Sequence, residues 1–135
     1  LKSVARSLPA LMRAQKVGKR AMRAGMDLNN AQEAMDCITR EKAELDAAVA
    51  AGDQANIEEE LGDLLFSCVN AARHLGVNAE MALTASTEKF IGRFEETEKL
   101  VAQDKLDMKE LPIEELDVYW EKAKNNIKSE EMKND

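Results

Sequence analysis

The 135-residue chain sets 19 Lys or Arg against 26 Asp or Glu, for a net charge of -7, and 44% of its residues are hydrophobic. This length suits one domain, and this apolar share suits a folded core rather than a disordered chain. The negative charge argues against a duplex nucleic acid partner, and no apolar run reaches the roughly 20 residues that a membrane span needs.

Two Pro and six Gly leave room for long helices, and the expected fold is all-α, an antiparallel bundle of about five helices. One domain is expected over residues 1–128, with 129–135 as a frayed polar tail. Ser7 and Pro9 predict the start of a first helix that runs to about Arg23 and stops at Gly25. Residues 1–26 hold seven Lys or Arg and no acid, whereas the remainder is strongly acidic. Asn30 with Glu33 three residues later reads as a capping box for a second helix that ends at Gly52. Asp53 or Asn56 opens a third helix ending at Gly76, Asn78 a fourth running to about Gln103, and Pro112 a fifth. Residues 104–111 form a linker.

Apolar spacing supports these elements. Ile57, Leu61, Leu64, Leu65, Cys68, Ala72 and Leu75 form a wide stripe of period 3.6, and Ala31, Met35, Ile38, Leu45 and Val49 form another. The short turn at Gly52 predicts that the second and third helices pack as an antiparallel hairpin. Wide apolar faces on the third and fourth helices predict a second subunit that covers them, as in a homodimer. Cys37 and Cys68 lack any CxxC spacing and read as free buried thiols in a reducing cytoplasm. Leu1 is not a start methionine, so the chain is expected to belong to a longer protein.

Glu41 and Glu44 stand three residues apart, as do Glu60 and Asp63, so each pair shares one helix face. Folding the hairpin brings four carboxylates from adjacent helices toward each other. Four such charges repel unless a divalent cation sits among them. All-oxygen ligation suits Mg2+, with Mn2+ as a substitute, and implies a phosphate ester or anhydride as substrate. Spacing alone leaves a second reading open, in which these acids are a solvated face.

A set of motifs in order bears on that choice. Leu8-Pro9-Ala10-Leu11-Met12-Arg13-Ala14-Gln15-Lys16 resembles the opening of the MazG catalytic domain. Glu58 to Phe66 is similar to the ExxD segment of that family, and Val69-Asn70-Ala71-Ala72-Arg73-His74-Leu75-Gly76 continues it. Lys89-Phe90, Arg93-Phe94, Trp120 and Lys124 also fall where the family has them. The resemblance covers roughly residues 8 to 124 and is greatest to the C-terminal domain of two-domain MazG proteins.

It implies an all-α, Mg2+-dependent nucleoside triphosphate pyrophosphohydrolase that is usually a dimer. Its products are a monophosphate and pyrophosphate. The metal ligands it implies are Glu41, Glu44, Glu60 and Asp63. Lys89 and Arg93 would hold phosphate oxygens, with Trp120 and Lys124 closing over the nucleotide by stacking and by charge. Lys16, with Arg13 and Arg20, would add to an anion-binding wall, and Asn70 is either a nucleotide contact or a polar core residue. A carboxylate among the four, or Glu59, is the general base. His74, near a helix end, reads as solvated.

Three positions depart from the family pattern. Arg40 replaces the first acid of EExxE, Cys37 a common Lys, and Met26-Asp27-Leu28 a common Phe-Asp-Trp. They motivate an alternative in which the domain is catalytically silent, a scaffold that binds metal or nucleotide and dimerises.

Overall fold

A helix begins where some side chain can accept from its otherwise unpaired first-turn N–H groups. Asn30, Asp53 and Asn78 do this here, accepting from the backbone N–H groups of Glu33, Asn56 and Met81 at 2.9, 3.3 and 3.0 Å. In the computed structural model, which describes residues 1–133, the elements are α1 (Ala10–Arg23), α2 (Ala31–Ala51), α3 (Gln54–His74), α4 (Ala79–Gln103), a 3-10 turn (Met108–Glu110) and α5 (Ile113–Lys133). No strand occurs among the described residues, and the fold is all-α.

Three local details differ from expectation. Pro9, not Ser7, takes the capping position of α1, and no side chain caps that helix. The reciprocal arm of the capping box is shifted by one residue, since Glu33 accepts from the backbone N–H of Asn29 at 2.9 Å. The polar stretch expected to fray from residue 129 instead continues α5 through Lys133. Residues 134 and 135 lie outside the described residues.

The chain packs as two compact units, Leu1–Leu83 and Thr84–Asp135. In the first, Gly52 ends α2 with φ 69°, a left-handed turn that glycine adopts without a Cβ clash. Only Gly52 and Asp53 separate α2 from α3, and the two helices pack extensively as a hairpin with α1 against α3. The Gln15 amide fastens α1 to the start of α4, donating to the Val77 carbonyl and accepting from the Ala79 N–H, both at 2.9 Å.

Small side chains fill the closest approaches. Ala34, Ala48, Val69 and Ala71 are buried, whereas Leu61, Leu65 and Leu75 of the expected core stripe stay 45, 53 and 56% exposed. Periodicity correctly marks an apolar face on α3, but this fold does not cover all of it. Cys68 is exposed rather than buried, and both cysteines are free.

In the second unit, the Tyr119 hydroxyl donates to Asp104 at 2.5 Å, tying α5 to the residue just after α4. Val101, only 1% exposed, is the largest fully buried side chain among the described residues. Val101→Ala removes two buried methyl groups and is expected to cost about 2 kcal/mol. Urea denaturation followed by circular dichroism measures this, and a loss below about 0.5 kcal/mol would show that the site collapses around the gap.

Candidate functional site

The hairpin decides where the acids go. Glu41 and Glu44 lie on α2, and Glu60 and Asp63 on α3. Glu41, Glu60 and Asp63 each bring one carboxylate oxygen to a common point, these three oxygens lying within 4.8 Å of one another, with Glu41 and Glu60 half-buried and Asp63 exposed. Glu44 is exposed and lies close enough to both Glu41 and Glu60 to push their carboxyls up. Glu58 and Glu59 stay on the solvated side.

Such crowding has an electrostatic cost. Loss of hydration raises the Glu41 carboxyl above its usual range, and so do Glu44 and Asp63 beside it. Glu60 is raised for the same first reason, followed by Glu44, Asp63 and Glu41. One oxygen of Glu41 and one of Glu60 are buried without a hydrogen-bond partner. A buried acceptor of this kind is unfavourable unless a cation or donor meets it. Hard carboxylate oxygens converging from two helices fit a divalent metal of the Mg2+ type. Arg40 weakly offsets the shift at Glu41, and its guanidinium lies 3.0 Å from the Cys37 sulfur.

The second unit holds the other expected site residues. Lys89 is exposed, Arg93 and Trp120 are half-buried, and Lys124 is half-buried 3.7 Å from Glu121. Thr97 donates to the Arg93 carbonyl at 2.7 Å, bracing that turn of α4. Trp120 does not stand free. Its ring packs against Phe90 at 5.2 Å between centroids, and Phe90 stacks on Phe94 at 6.3 Å. These aromatics line a cavity of about 210 Å3 with Asp117 among its lining residues.

Lys16 joins Lys19, Arg20 and Arg23 around a concave patch with no acidic lining residue. Asn70 lines a different cavity and accepts from Arg73 at 2.6 Å. His74, expected in solvent, has a side chain only 12% exposed and contacts Asp27 at 3.0 Å.

The sequence reading overlooks one network. Arg73 grips Asp27 with two donors, at 2.6 and 3.0 Å, joining the α1–α2 loop to the end of α3. The Arg73 hydrogen bonds, followed by those from His74 and the Leu28 N–H, hold the Asp27 carboxyl far below the usual range. Two signals point to it: the only acid of the α1–α2 loop, and an Arg ten residues after Asp63 on the same helix.

Comparison with known proteins identifies the family. Residues 29–97, half of the chain, match the MazG nucleotide pyrophosphohydrolase domain. The chain belongs to the MazG family. The matched residues include all four acids, Asn70, Lys89 and Arg93, whereas Trp120 and Lys124 lie beyond them. Over 126 residues the chain is 45% identical to the nucleoside triphosphate pyrophosphohydrolase of Escherichia coli (strain K12), covering 92% of this chain and 48% of that protein. It is 44% identical over 117 residues to the nucleoside triphosphate pyrophosphohydrolase/pyrophosphatase MazG of Thermotoga maritima, covering 87% of this chain and 45% of the relative. This MazG chain therefore spans just under half the length of these curated relatives. No described helix is long and apolar enough to cross a membrane.

Proposed function

We propose that this MazG domain hydrolyses nucleoside triphosphates to monophosphates and pyrophosphate with Mg2+, which Mn2+ can replace. The observation that carries the reading is the convergence of Glu41, Glu60 and Asp63, with buried unpartnered oxygens on Glu41 and Glu60. Glu41, Glu44, Glu60 and Asp63 would hold the metal. When bound it would neutralise phosphate charge and make a coordinated water more acidic.

The protein's own part is to orient and to move a proton. A carboxylate of this group, or Glu59, would take the proton of the attacking water. Lys89, Arg93 and Lys124 would offset charge on the phosphates, with Trp120 covering the nucleotide, Asn70 contacting it and Lys16 adding positive charge. The curated relatives are named for this activity over a shared stretch that covers about nine-tenths of this chain.

Incubation with a panel of NTPs and dNTPs, in Mg2+ or in EDTA, tests the reading directly. Mg2+-dependent release of both pyrophosphate and monophosphate is expected. Arg40 in place of an acid favours one rival, a silent scaffold, and a folded protein that binds Mg2+ but releases nothing would establish it.

The exposed apolar face of α3 supports a homodimer in which a second copy covers Leu61, Leu65 and Leu75. Light scattering is expected to give twice the chain mass at micromolar concentration, and a monomer alone would end that assignment. Two free cysteines suit a reducing compartment, and we assign the protein to the cytoplasm.

A further inference from the structure

Between α1, the loop after it and α3 lies a cavity of about 380 Å3, a size suited to a small ligand. Val17, Ala21, Leu28 and Phe66 give it apolar walls, and its polar side chains are Asp27, Asn70 and Arg73. Asp27 has little left to offer. Its oxygens take two Arg73 contacts, the Leu28 N–H at 2.8 Å and the His74 ring nitrogen at 3.0 Å.

Asn70 is different. Arg73 donates to its side-chain oxygen at 2.6 Å. A guanidinium has no acceptor, so the atom facing it must be the amide oxygen, and the amide nitrogen is the end left over. That nitrogen has no partner among the described residues. Asn70 follows Asp63 by seven residues, about two turns or ~10 Å along the same face of α3. A base whose phosphates lie at the acids is separated from them by its sugar on this scale.

We propose that this cavity is the nucleobase subsite, and that Asn70 reads the base edge with its amide N–H groups. Arg73 and Asp27 are positioning residues that fix which end of the amide faces the ligand. The proposal rests on the nucleotide reading above and names its specificity element. A donor meets an acceptor, so a keto base is favoured over an amino base at that edge. Uracil and cytosine are the cleanest pair, because they differ at one exocyclic position and the adjacent ring nitrogen.

The experiment is calorimetric binding of UMP and CMP to the wild-type chain in Mg2+, alongside kcat/KM for UTP and CTP. The wild type is expected to favour the uracil nucleotide by about tenfold, the worth of one well-placed hydrogen bond. Asn70→Ala levels the two, and Asn70→Asp, which offers acceptors, reverses the order. Arg73→Met shrinks the ratio while leaving the Mg2+-induced rise in melting temperature, which reports that the folded acid cluster is still assembled. Ala21→Phe fills the cavity from α1 and is expected to abolish binding of both nucleotides without removing that Mg2+ response.

The proposal is overturned if the wild type binds neither nucleotide, or binds both equally. An unchanged ratio in folded Asn70→Ala and Asn70→Asp also overturns it, as does normal binding by Ala21→Phe. Failure of the two readings is separable. Hydrolysis with an unmoved ratio removes only the subsite, whereas selective UMP binding without any pyrophosphate release removes only the hydrolase.

Discussion

Glu41→Gln and Glu60→Gln are each expected to raise the melting temperature in EDTA while abolishing Mg2+-dependent hydrolysis. Hydrolysis should fall by about a thousandfold or more, because metal charge stabilisation in the transition state is worth several kcal/mol. The stability gain comes from removing one member of a crowded acid group whose carboxyls are pushed up by lost hydration and by each other. A raised carboxyl binds its proton more tightly in the folded than in the unfolded chain, so metal-free stability falls as pH rises from the ordinary glutamate value, about 4.3, through the folded one. Each glutamine variant loses one of the two raised groups and so shows a smaller fall. Their advantage is therefore absent below about pH 4 and full above the raised value. Saturating Mg2+ should reverse the ranking, since only the wild type offers every ligand. Calorimetric melts in EDTA and in Mg2+ across pH 4–8 check both parts. Variants that are less stable than wild type in EDTA would show that these acids are structural partners rather than a strained ligand set.

Asp27→Asn should have the opposite character. It removes a charge that Arg73 and His74 both contact, leaving a largely buried guanidinium without its counter-charge. A loss of roughly 5 °C or more in melting temperature is expected for a chain of this size. The Asp27 carboxyl is held far below the usual range, so its contribution is complete above about pH 4 and is lost as pH falls through the folded value. The gap between wild type and variant should stay constant from pH 5 to 8 and narrow only in stronger acid. A gap that already closes between pH 7 and 5 would place the effect on another group.

These two sites were not equally legible in the sequence. Glu41, Glu60 and Asp63 can be read from i,i+3 spacing on two helices joined by a short turn, because helical period and hairpin geometry are local rules. The Asp27–Arg73 pair spans 46 positions, and no period connects a loop residue to the end of a distant helix. His74 and Cys68 fail for related reasons. A helix end need not be solvated when a loop folds back on it, and an apolar stripe shows a sticky face without showing what covers it. Leu61, Leu65 and Leu75 teach the same lesson. Pro9 is a smaller case, where its ring fixes φ but leaves ψ extended at 144°, making it the boundary rather than the first helical residue.

The left-handed turn at Gly52 has a kinetic meaning as well. Every proposed metal ligand lies between Glu41 and Asp63 on the two arms that this turn joins, so the pocket closes through one short loop rather than through contacts between distant parts of the chain. Loop closure of this kind costs little entropy and comes early when a chain folds. The acids would then meet while the rest of the protein is still forming. A side chain at residue 52 would strain the turn and slow that meeting, coupling the speed of folding to the assembly of the charged pocket.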